Sequence, residues 1–328
     1  MKIAILGSGS WGTSLAILLA RNGHDVTLFG RNLAEIEDLS TTRENHRYLP
    51  GHAVPPNARF ALFGSERVEA DMTVIAVPSG AVREIARQVH GSGALVVIAA
   101  KGLEVGSGKL MSEVVAESAP SATVGVVSGP NLAIEIVAGV PTVAVAAYRS
   151  REAAEIVRDA FTCGTFRVSV SDDVIGVELG GALKNVLAIG AGVSDGLGFG
   201  DNTKGAFLCR GLMEMAKLGS TMGARPDSFL GPSGVGDLFA TAVSRLSRNY
   251  RLGRALGEGV QLSDALKDLG QVAEGVTTSE VVGLLARQHA VDLPVFAAVE
   301  AILKGYIEPQ KAVSLLMERA VRMDDFLG

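Results

Sequence analysis

Cysteine, paired histidines and aromatic residues are all scarce in this chain of 328 residues. Its two cysteines, Cys163 and Cys209, make no CxxC pair, and its five histidines make no HxxxH or HExxH pattern. Zinc sites need closely spaced cysteine or histidine ligands, and disulfide frameworks need several cysteines. The sequence therefore predicts no metal site and no disulfide scaffold, and two isolated thiols are typical of a reduced cytoplasmic protein.

Basic charge and uninterrupted hydrophobic runs are scarce as well. The formal net charge is −5, whereas a general nucleic-acid binder presents a basic surface. The apolar run 179–192 is broken by Lys184 and Asn185, and it is shorter than the roughly 20 residues that cross a bilayer. The first residues, MKIAILGSGS, make too short an apolar stretch for a signal peptide. We therefore expect a cytoplasmic protein with no nucleic-acid partner and no membrane span.

Glycine, by contrast, is abundant, and three glycines near the start form a fingerprint. Gly7, Gly9 and Gly12 complete GxGxxG between a strand-like run at 2–6 and a helical pattern that is followed by a second strand at 26–29. In such a unit the glycines allow a tight turn, a close approach to a pyrophosphate and close helix packing, while the helix N-terminus attracts the phosphates. The unit predicts a dinucleotide-binding domain.

The end of the second strand bears on which dinucleotide is bound. NAD-specific proteins usually place an acid there for the ribose 2′-hydroxyl. Here Gly30, Arg31 and Asn32 follow the strand, and the next acid is Glu35. An arginine can pair with a 2′-phosphate, so we expect NADP(H) to be accepted; a merely solvated Arg31 is the alternative.

Further apolar runs indicate the rest of a sheet and its end. The runs lie at 71–80, 93–102, 122–131 and 141–148, and helical stretches at 80–90 and 109–118 separate several of them. Continuous apolar runs are typical of buried parallel strands, and after about residue 175 only helical spacing follows. The expected fold class is α/β, with an N-terminal Rossmann-type doubly wound sheet over residues 1–178 and an all-helical C-terminal domain over residues 179–328.

Lys184 stands inside a segment that is built for burial. On a helix it shares a face with Gly180, Gly181 and Leu187, and that face carries no acid. A buried ammonium needs a partner or a lowered pKa, and the two glycines would leave room for a substrate beside it. The alternative is a lysine whose ammonium reaches the surface along its own stem.

Other polar residues suit a phosphorylated ligand at strand and helix ends. Lys101 lies at the end of the run at 93–102, and ligands of open α/β sheets bind at such strand ends. Asp237 and Thr241 stand one helical turn apart, and Ser247, Arg248 and Asn249 follow them. A guanidinium beside Ser and Asn donors suits a phosphate, although a helix cap with a surface arginine would look the same.

Eight motifs in order resemble the soluble, bacterial-type NAD(P)-dependent glycerol-3-phosphate dehydrogenases over nearly the whole chain. They are GSGSWGTSLA at 7–16, AAKGLE at 99–104, SGPNLAIE at 128–135, GVELGGALKNVLAIGAG at 176–192, GDNTKGA at 200–206, GVGDLFAT at 234–241, SRN at 247–249 and GQVAEG at 270–275. The resemblance implies a cytosolic enzyme that interconverts dihydroxyacetone phosphate and sn-glycerol 3-phosphate and supplies glycerophospholipid synthesis. It also implies NADP(H) or NAD(H) as the cofactor and a homodimer.

The resemblance assigns roles to individual residues. It implies that Lys184 is the catalytic proton donor and acceptor. The implied substrate-binding residues are Lys101, Gly129, Asn131, Asp237, Thr241, Ser247, Arg248 and Asn249. The implied cofactor-binding residues are Gly7, Gly9, Ser10, Trp11, Gly12, Arg31, Lys101, Ala133, Arg248, Val272 and Glu274. Asn131 departs from the family pattern, which often has Ser or Thr at this position.

Two other functions share part of this pattern. Another two-domain NAD(P)-dependent reductase, acting on a small keto or hydroxy acid, would have the glycine fingerprint and a lysine on a helix. The cluster at 247–249 and the need for a phosphorylated substrate separate it from the main interpretation. A non-catalytic protein that senses NAD(P) would explain GxGxxG but would leave Lys101, Lys184 and Asp237 without a role.

Overall fold

A computed structural model describes residues 1–65, 68–89, 94–270 and 272–318. His90 and Gly93, at which a predicted helix ends and a predicted strand begins, lie outside the described residues. The chain divides into two compact units. The first is Met1–Ala100 with Met111–Val174, and the second is Lys101–Leu110 with Ile175–Gly328.

The first unit is built around an eight-stranded sheet. The strands described in this unit, including two outside that sheet, are β1 Lys2–Leu6, β2 Asp25–Gly30, β3 Glu44–Asn45, β4 Leu49–Ala53, β5 Ala58–Leu62, β6 Met72–Ile75, β7 Leu95–Ile98, β8 Thr123–Ser128, β9 Thr142–Ala147 and β10 Phe166–Ser171. Its helices are α1 Ser10–Arg21, α2 Leu33–Thr42, α3 Val82–Ala86, α4 Met111–Ser118, α5 Ala133–Val137 and α6 Arg151–Phe161, with a 3₁₀ turn at Ser79–Ala81. β3 and β4 form a separate antiparallel ribbon.

The order of the strands is that of a doubly wound sheet. It runs β10-β9-β8-β7-β6-β1-β2-β5, so the chain moves outward from β1 to one edge, returns to β6 beside β1 and moves outward to the other edge. Ile3 and Ile5 of β1 are fully buried, as expected of a central strand. The predicted Rossmann-type sheet is confirmed, and its switch point lies between β1 and β6, where ligands of such sheets bind.

One pairing in the sheet is antiparallel, and it reverses the direction of the last two strands, β9 and β10. β9 pairs antiparallel with β8, and β10 then pairs parallel with β9. A parallel return needs a crossover that spans the length of a strand. The connection contains only the five-residue α5, which is about 7.5 Å long at 1.5 Å per residue. The chain therefore enters β9 at the edge where β8 ended.

After Val174 the regular secondary structure of the described residues is helical, as predicted, whereas the segment Lys101–Leu110 of the second unit contains only an isolated β-bridge between Leu103 and Leu110. The helices of this unit are α7 Val174–Gly196, α8 Asp201–Thr221, α9 Asp237–Ala242, α10 Arg248–Gly257, α11 Leu262–Leu269, α12 Glu274–Gln288, α13 Pro294–Leu303 and α14 Pro309–Glu318, with a 3₁₀ turn at Pro226–Leu230 and a π-helical turn at Pro232–Gly236. The boundary expected after residue 178 differs from this division in two ways. α7 begins at Val174, and the segment Lys101–Leu110 groups with the helical unit.

α7 forms the centre of the helical unit. By length and composition it could cross a membrane, but 94% of its most apolar 18-residue window is buried within the protein. Leu179, Leu183 and Val186 are fully buried in the core of this unit. The burial is that of a core helix, which explains why the segment is apolar all round.

Glycines bring α7 and α10 into backbone contact. A Cβ on Gly192 would lie 2.1 Å from the Tyr250 carbonyl oxygen, and a Cβ on Gly253 would lie 1.9 Å from the Ile189 carbonyl oxygen. Real Cβ atoms do not approach backbone so closely, so any larger residue at either position would push the helices apart. The start of α10 is thereby fixed against α7.

Candidate active site

The side chain of Lys184 lies among partners from a different helix. Lys184 is 6% exposed, and its Nζ donates to Asp237 Oδ1 and to Thr241 Oγ1, each at 2.6 Å. Asp237 and Thr241 share one face of α9, with Thr241 Oγ1 3.3 Å from Asp237 Oδ1. The acid that the face of α7 lacks is therefore supplied by α9.

Lys101 contacts the same carboxylate from the other side. Its Nζ donates to Asp237 Oδ2 at 2.7 Å, and Asp237 is only 1% exposed. One buried carboxylate thus holds two ammonium groups, one on each oxygen. Such a cluster carries net positive charge, because two cations share one anion.

The surroundings of Lys184 change its acidity. Burial lowers the pKa of Lys184 from 10.5 to about 8, and the charges of Lys101 and Arg248 act in the same direction, while Asp237 opposes them. A lysine ammonium can respond to burial in this way, whereas a guanidinium stays charged. An amine with a pKa of about 8 can release and recover a proton near neutral pH, as a general acid and base must.

The glycine beside Lys184 does not leave room for a ligand, which corrects the sequence-based expectation. A Cβ on Gly180 would lie 2.7 Å from the carbonyl oxygen of Ser233. The space is filled by the π-helical turn Pro232–Gly236, whose backbone packs directly on α7. Gly180 therefore allows the segment that leads into Asp237 to approach Lys184.

The predicted phosphate-binding residues begin α10. Ser247 is its N-cap, and its hydroxyl accepts a hydrogen bond from the Tyr250 N–H at 3.2 Å. Arg248 is the first residue of the helix and is exposed. Neighbouring atoms lower the pKa of Arg248 by desolvation, and the charge of Glu274 opposes this. A guanidinium at a helix N-terminus suits an anion, because the terminal N–H groups add partial positive charge.

Asn249 is committed to the protein itself. Its Nδ2 donates to Asn185 Oδ1 at 2.9 Å, and its Oδ1 accepts from the Gly275 N–H at 3.1 Å. The side chain thus joins α10 to α7 and to the first turn of α12. Sequence reasoning expected a substrate contact here and assigned no role to Asn185. A buried asparagine directly after Lys184 in an apolar helix was the available signal.

Two predicted cofactor residues lie where α12 begins. Glu274 is its first residue and is partly buried, and Val272 lies two residues earlier and is exposed. The attraction between Glu274 and Arg248 connects this segment electrostatically to the start of α10.

In the first unit, the turn after β1 has the shape that a dinucleotide needs. Gly7 has a φ of +123°, and a Cβ there would lie 2.6 Å from the Ala76 carbonyl oxygen. A Cβ on Gly9 would meet no atom within 4 Å among the described residues, whereas one on Gly12 would lie 1.8 Å from the Gly7 carbonyl oxygen. The backbone at Gly9 is thus open to a ligand, and α1 begins at Ser10 with its N–H groups directed outward. The residues fit a bound pyrophosphate.

Trp11 and Ala133 are connected to this turn through α1. The Trp11 indole N–H donates to the Ala99 carbonyl oxygen at 3.0 Å, and the Ser14 hydroxyl donates to the Ala133 carbonyl oxygen at 3.2 Å. These bonds join α1 to the end of β7 and to the start of α5. The indole donor of Trp11 is used within the protein, so its ring is the part left for a cofactor.

Arg31 is exposed directly after β2. The nearest following acid, Glu35, is held by the Arg47 guanidinium at 2.5 Å, and its N–H donates to the Asn32 side chain that caps α2. The carboxylate of Glu35 is therefore neutralised by a neighbouring cation, which leaves the end of β2 compatible with a 2′-phosphate.

The loop after β8 contains Gly129 and Asn131. Gly129 has a φ of +156°, and a Cβ there would lie 2.7 Å from the Val143 carbonyl oxygen, so the position requires glycine. The Asn131 Nδ2 donates to that same carbonyl at 3.2 Å. Its Oδ1 is buried and makes no hydrogen bond within the described residues, so it can accept from a ligand.

Comparison with known proteins follows the same two-part division. Two family models match, described as the N-terminus and the C-terminus of NAD-dependent glycerol-3-phosphate dehydrogenase, over residues 2–154 and 173–314. The chain belongs to the NAD-dependent glycerol-3-phosphate dehydrogenase family. The resemblance seen in eight motifs is confirmed across nearly the whole chain.

Individual members of this family are similar along most of their lengths. A glycerol-3-phosphate dehydrogenase (NAD(P)+) of Desulfitobacterium hafniense is 46% identical over 321 residues, which cover 97% of this chain and 91% of the relative. One from Thermoanaerobacter is 45% identical over 323 residues and 97% of each chain. The crystal structure of glycerol-3-phosphate dehydrogenase from Coxiella burnetii is 37% identical, covers 97% of this chain and 99% of its own, and has a TM-score of 0.93. These matches support the family over the alternative two-domain reductases.

Proposed function

We propose that this protein interconverts dihydroxyacetone phosphate and sn-glycerol 3-phosphate, with Lys184 as the proton donor and acceptor. The observation that carries the proposal is the buried Lys184 ammonium, which Asp237 and Thr241 hold at 2.6 Å. Its pKa of about 8 suits exchange of a proton near neutral pH.

The charges of the cluster support reduction of a ketone. When bound, the nicotinamide supplies the hydride. Negative charge then develops on the substrate oxygen, and the Lys184 ammonium stabilises that charge and transfers its proton to the oxygen. In the reverse direction the neutral amine takes the hydroxyl proton. Asp237 orients the ammonium, and Lys101 adds a second positive charge on the far side of the same carboxylate.

The start of α10 is the proposed site for the substrate phosphate. Arg248 offers a planar set of donors that matches phosphate oxygens, and the helix N-terminus favours negative charge. Ser247 caps the turn, and Asn249 fixes it to α7 and α12. Of the three, Arg248 is the one whose side chain is exposed to solvent.

The proposed cofactor is NADP(H) or NAD(H). The turn at Gly7, Gly9 and Gly12 is open at Gly9 for the pyrophosphate. Arg31 is exposed at the end of β2, and the Glu35 carboxylate is neutralised by Arg47. These features support binding of a 2′-phosphate without excluding a 2′-hydroxyl.

We also propose a cytoplasmic location, a homodimeric state and a role in supplying glycerol 3-phosphate for glycerophospholipids. The scarcity of cysteine and the family membership support the first and the last. The dimer is proposed from the resemblance alone, and sedimentation of the purified protein tests it.

The test of the function is loss of reduced-nicotinamide absorbance on addition of dihydroxyacetone phosphate. NADPH and NADH are run side by side, and dihydroxyacetone without phosphate is the control substrate. We expect rapid turnover of the phosphorylated ketone and at most slow turnover of the control. A protein that binds NADPH but turns over neither substrate contradicts the proposal.

A further inference from the structure

A group of three side chains joins the end of α7 to α8 and α10, outside the residues assigned above. The Tyr250 hydroxyl donates to Asp195 Oδ2 at 2.6 Å. Lys204 Nζ donates to both oxygens of the same carboxylate, at 3.1 and 3.0 Å. Tyr250 is 5% exposed, and the side chains of Asp195 and Lys204 are mostly buried. Buried, charge-assisted bonds of this kind hold their partners in one geometry.

Tyr250 stands within the turn that is proposed to bind the phosphate. It follows Arg248 by two residues, and its N–H donates to the N-cap hydroxyl of Ser247. Its carbonyl oxygen packs against Gly192 on α7, where a Cβ would lie only 2.1 Å from it. The residue is therefore bonded through its N–H and its phenol and packs against α7 at its carbonyl. Its neighbour Asn249 bonds to Asn185.

The contacts between α7 and α10 keep one register. Asn249 meets Asn185, Gly253 meets Ile189 and Gly257 meets Val193. In each pair the two residue numbers differ by 64. The two helices therefore run parallel and keep the same register over about two turns. This register determines how far the first turn of α10 lies from Lys184 along α7.

We propose that Asp195, Lys204 and Tyr250 are positioning residues for the reaction. They hold the first turn of α10 in this register on α7, so that the phosphate-binding residues and the Lys184 ammonium keep the separation that one substrate molecule requires. This rests on the proposed function, because it takes Arg248 as the phosphate site.

A single hydroxyl tests the proposal. Tyr250→Phe removes the bond to Asp195 and keeps the ring. Losing a hydrogen bond to a charged group typically weakens binding by about tenfold, and we expect the KM for dihydroxyacetone phosphate to rise by roughly that factor. The kcat and the KM for NADPH should change by less than about twofold, and kcat/KM for dihydroxyacetone, which lacks the phosphate, should be unchanged.

Tyr148→Phe is the matched control. It removes a buried phenol bond of similar length, 2.7 Å to the Val96 carbonyl oxygen, in the first unit. A purely structural role for Tyr250 predicts that the two variants lower the Tm alike and leave the KM for dihydroxyacetone phosphate unchanged. That result overturns the proposal, as does an equal loss with the phosphorylated and unphosphorylated substrates.

Two further variants separate the possible failures. Arg248→Met should raise the KM for dihydroxyacetone phosphate strongly; no effect there overturns the phosphate assignment and this proposal with it. A large effect of Arg248→Met with no effect of Tyr250→Phe overturns the positioning role alone. If Tyr250→Phe does not fold, Asp195→Asn, which keeps an acceptor oxygen but removes the charge that Lys204 pairs with, carries the same expected split between KM and kcat.

Discussion

The Lys184 ammonium lies 2.6 Å from the Asp237 carboxylate, although the two residues are 53 positions apart and stand on different helices. The contact is buried, and Lys101 occupies the second oxygen of the same carboxylate. Asp237 therefore holds both lysines of the cluster, and its charge raises the pKa of Lys184 against the lowering effect of burial.

Asp237→Asn should impair both stability and catalysis. The variant leaves two ammonium groups without their shared anion, and breaking a buried ion pair typically costs about 3–5 kcal/mol. The pKa of Lys184 should also fall, since Asp237 raises it, so less of the amine is protonated at neutral pH. Urea unfolding and kcat at pH 7 measure the two effects. Wild-type stability with a normal kcat would show that Asp237 does not hold the cluster.

The rates of the two reaction directions should depend oppositely on pH. Reduction needs the Lys184 ammonium, so its kcat/KM should fall as the pH rises through about 8. Oxidation of glycerol 3-phosphate needs the neutral amine, so its kcat/KM should rise through the same range. Because Lys101 and Asp237 lie beside Lys184, the observed midpoint belongs to the group as a whole. Parallel profiles in both directions would contradict the assignment.

Arg31 should determine how strongly NADPH is favoured over NADH. Arg31→Ala removes the cation at the end of β2 and should raise the KM for NADPH by about tenfold, as loss of a charge-assisted contact does. The KM for NADH should change little, because it has no 2′-phosphate. Steady-state kinetics with both cofactors measure the ratio. An unchanged ratio would mean that Arg31 is a solvated loop residue.

Gly192→Ala should be strongly destabilising. The added Cβ would lie 2.1 Å from the Tyr250 carbonyl oxygen and 2.7 Å from the Arg254 nitrogen, and neither backbone can yield without separating α7 from α10. Overpacking of this kind costs about 1–3 kcal/mol or more. Gly205→Ala in α8 is the control, since its Cβ meets no atom within 4 Å among the described residues; it should be neutral or slightly stabilising. Denaturant unfolding of both variants compares them, and equal stabilities would refute the close packing.

Glu214 should make stability depend on pH. It accepts N–H bonds from Val295 and Phe296 at the start of α13, yet burial raises its pKa from 4.5 to about 7; Arg210 lowers it and Asp292 raises it. The folded state binds this proton more tightly than the unfolded state. The contribution of Glu214 to the free energy of unfolding should therefore decrease as the pH rises from about 4.5 to 7, by on the order of 3 kcal/mol.

Glu214→Gln removes this titrating group and should flatten that part of the stability profile. The exposed Glu308→Gln is the matched control and should leave the slope as in the wild type. Chemical denaturation of the wild type and both variants at pH 5, 6 and 7 gives the slope of the free energy of unfolding against pH for each protein. An unchanged slope in Glu214→Gln would place the proton elsewhere.

The sequence predicted the elements of the site better than their contacts. The glycine turn, the buried Lys184 and the polar groups at 237–249 could be found because each is a local pattern. The partner of Lys184 could not be found, since the face of α7 carries no acid and the pairing with α9 is a tertiary contact. For the same reason the sequence predicted that Gly180 leaves room for a ligand, whereas the Ser233 carbonyl packs against it.

The direction of β9 likewise could not be predicted from the sequence. Its apolar run looks like those of the parallel strands, because burial on both faces produces the same composition in either direction. Only the short connection through α5 indicates the antiparallel pairing. The bond between Tyr250 and Asp195 could not be predicted, because it depends on how α10 packs on α7.

The most direct measurement is turnover of dihydroxyacetone phosphate with NADPH by Lys184→Met, which removes the ammonium and keeps an apolar side chain of similar length. We predict that kcat falls by roughly 10²–10⁴-fold, as expected when a general acid is lost, while NADPH still binds in a fluorescence titration. A kcat within about tenfold of the wild type, from a variant that binds NADPH normally, would contradict the role of Lys184.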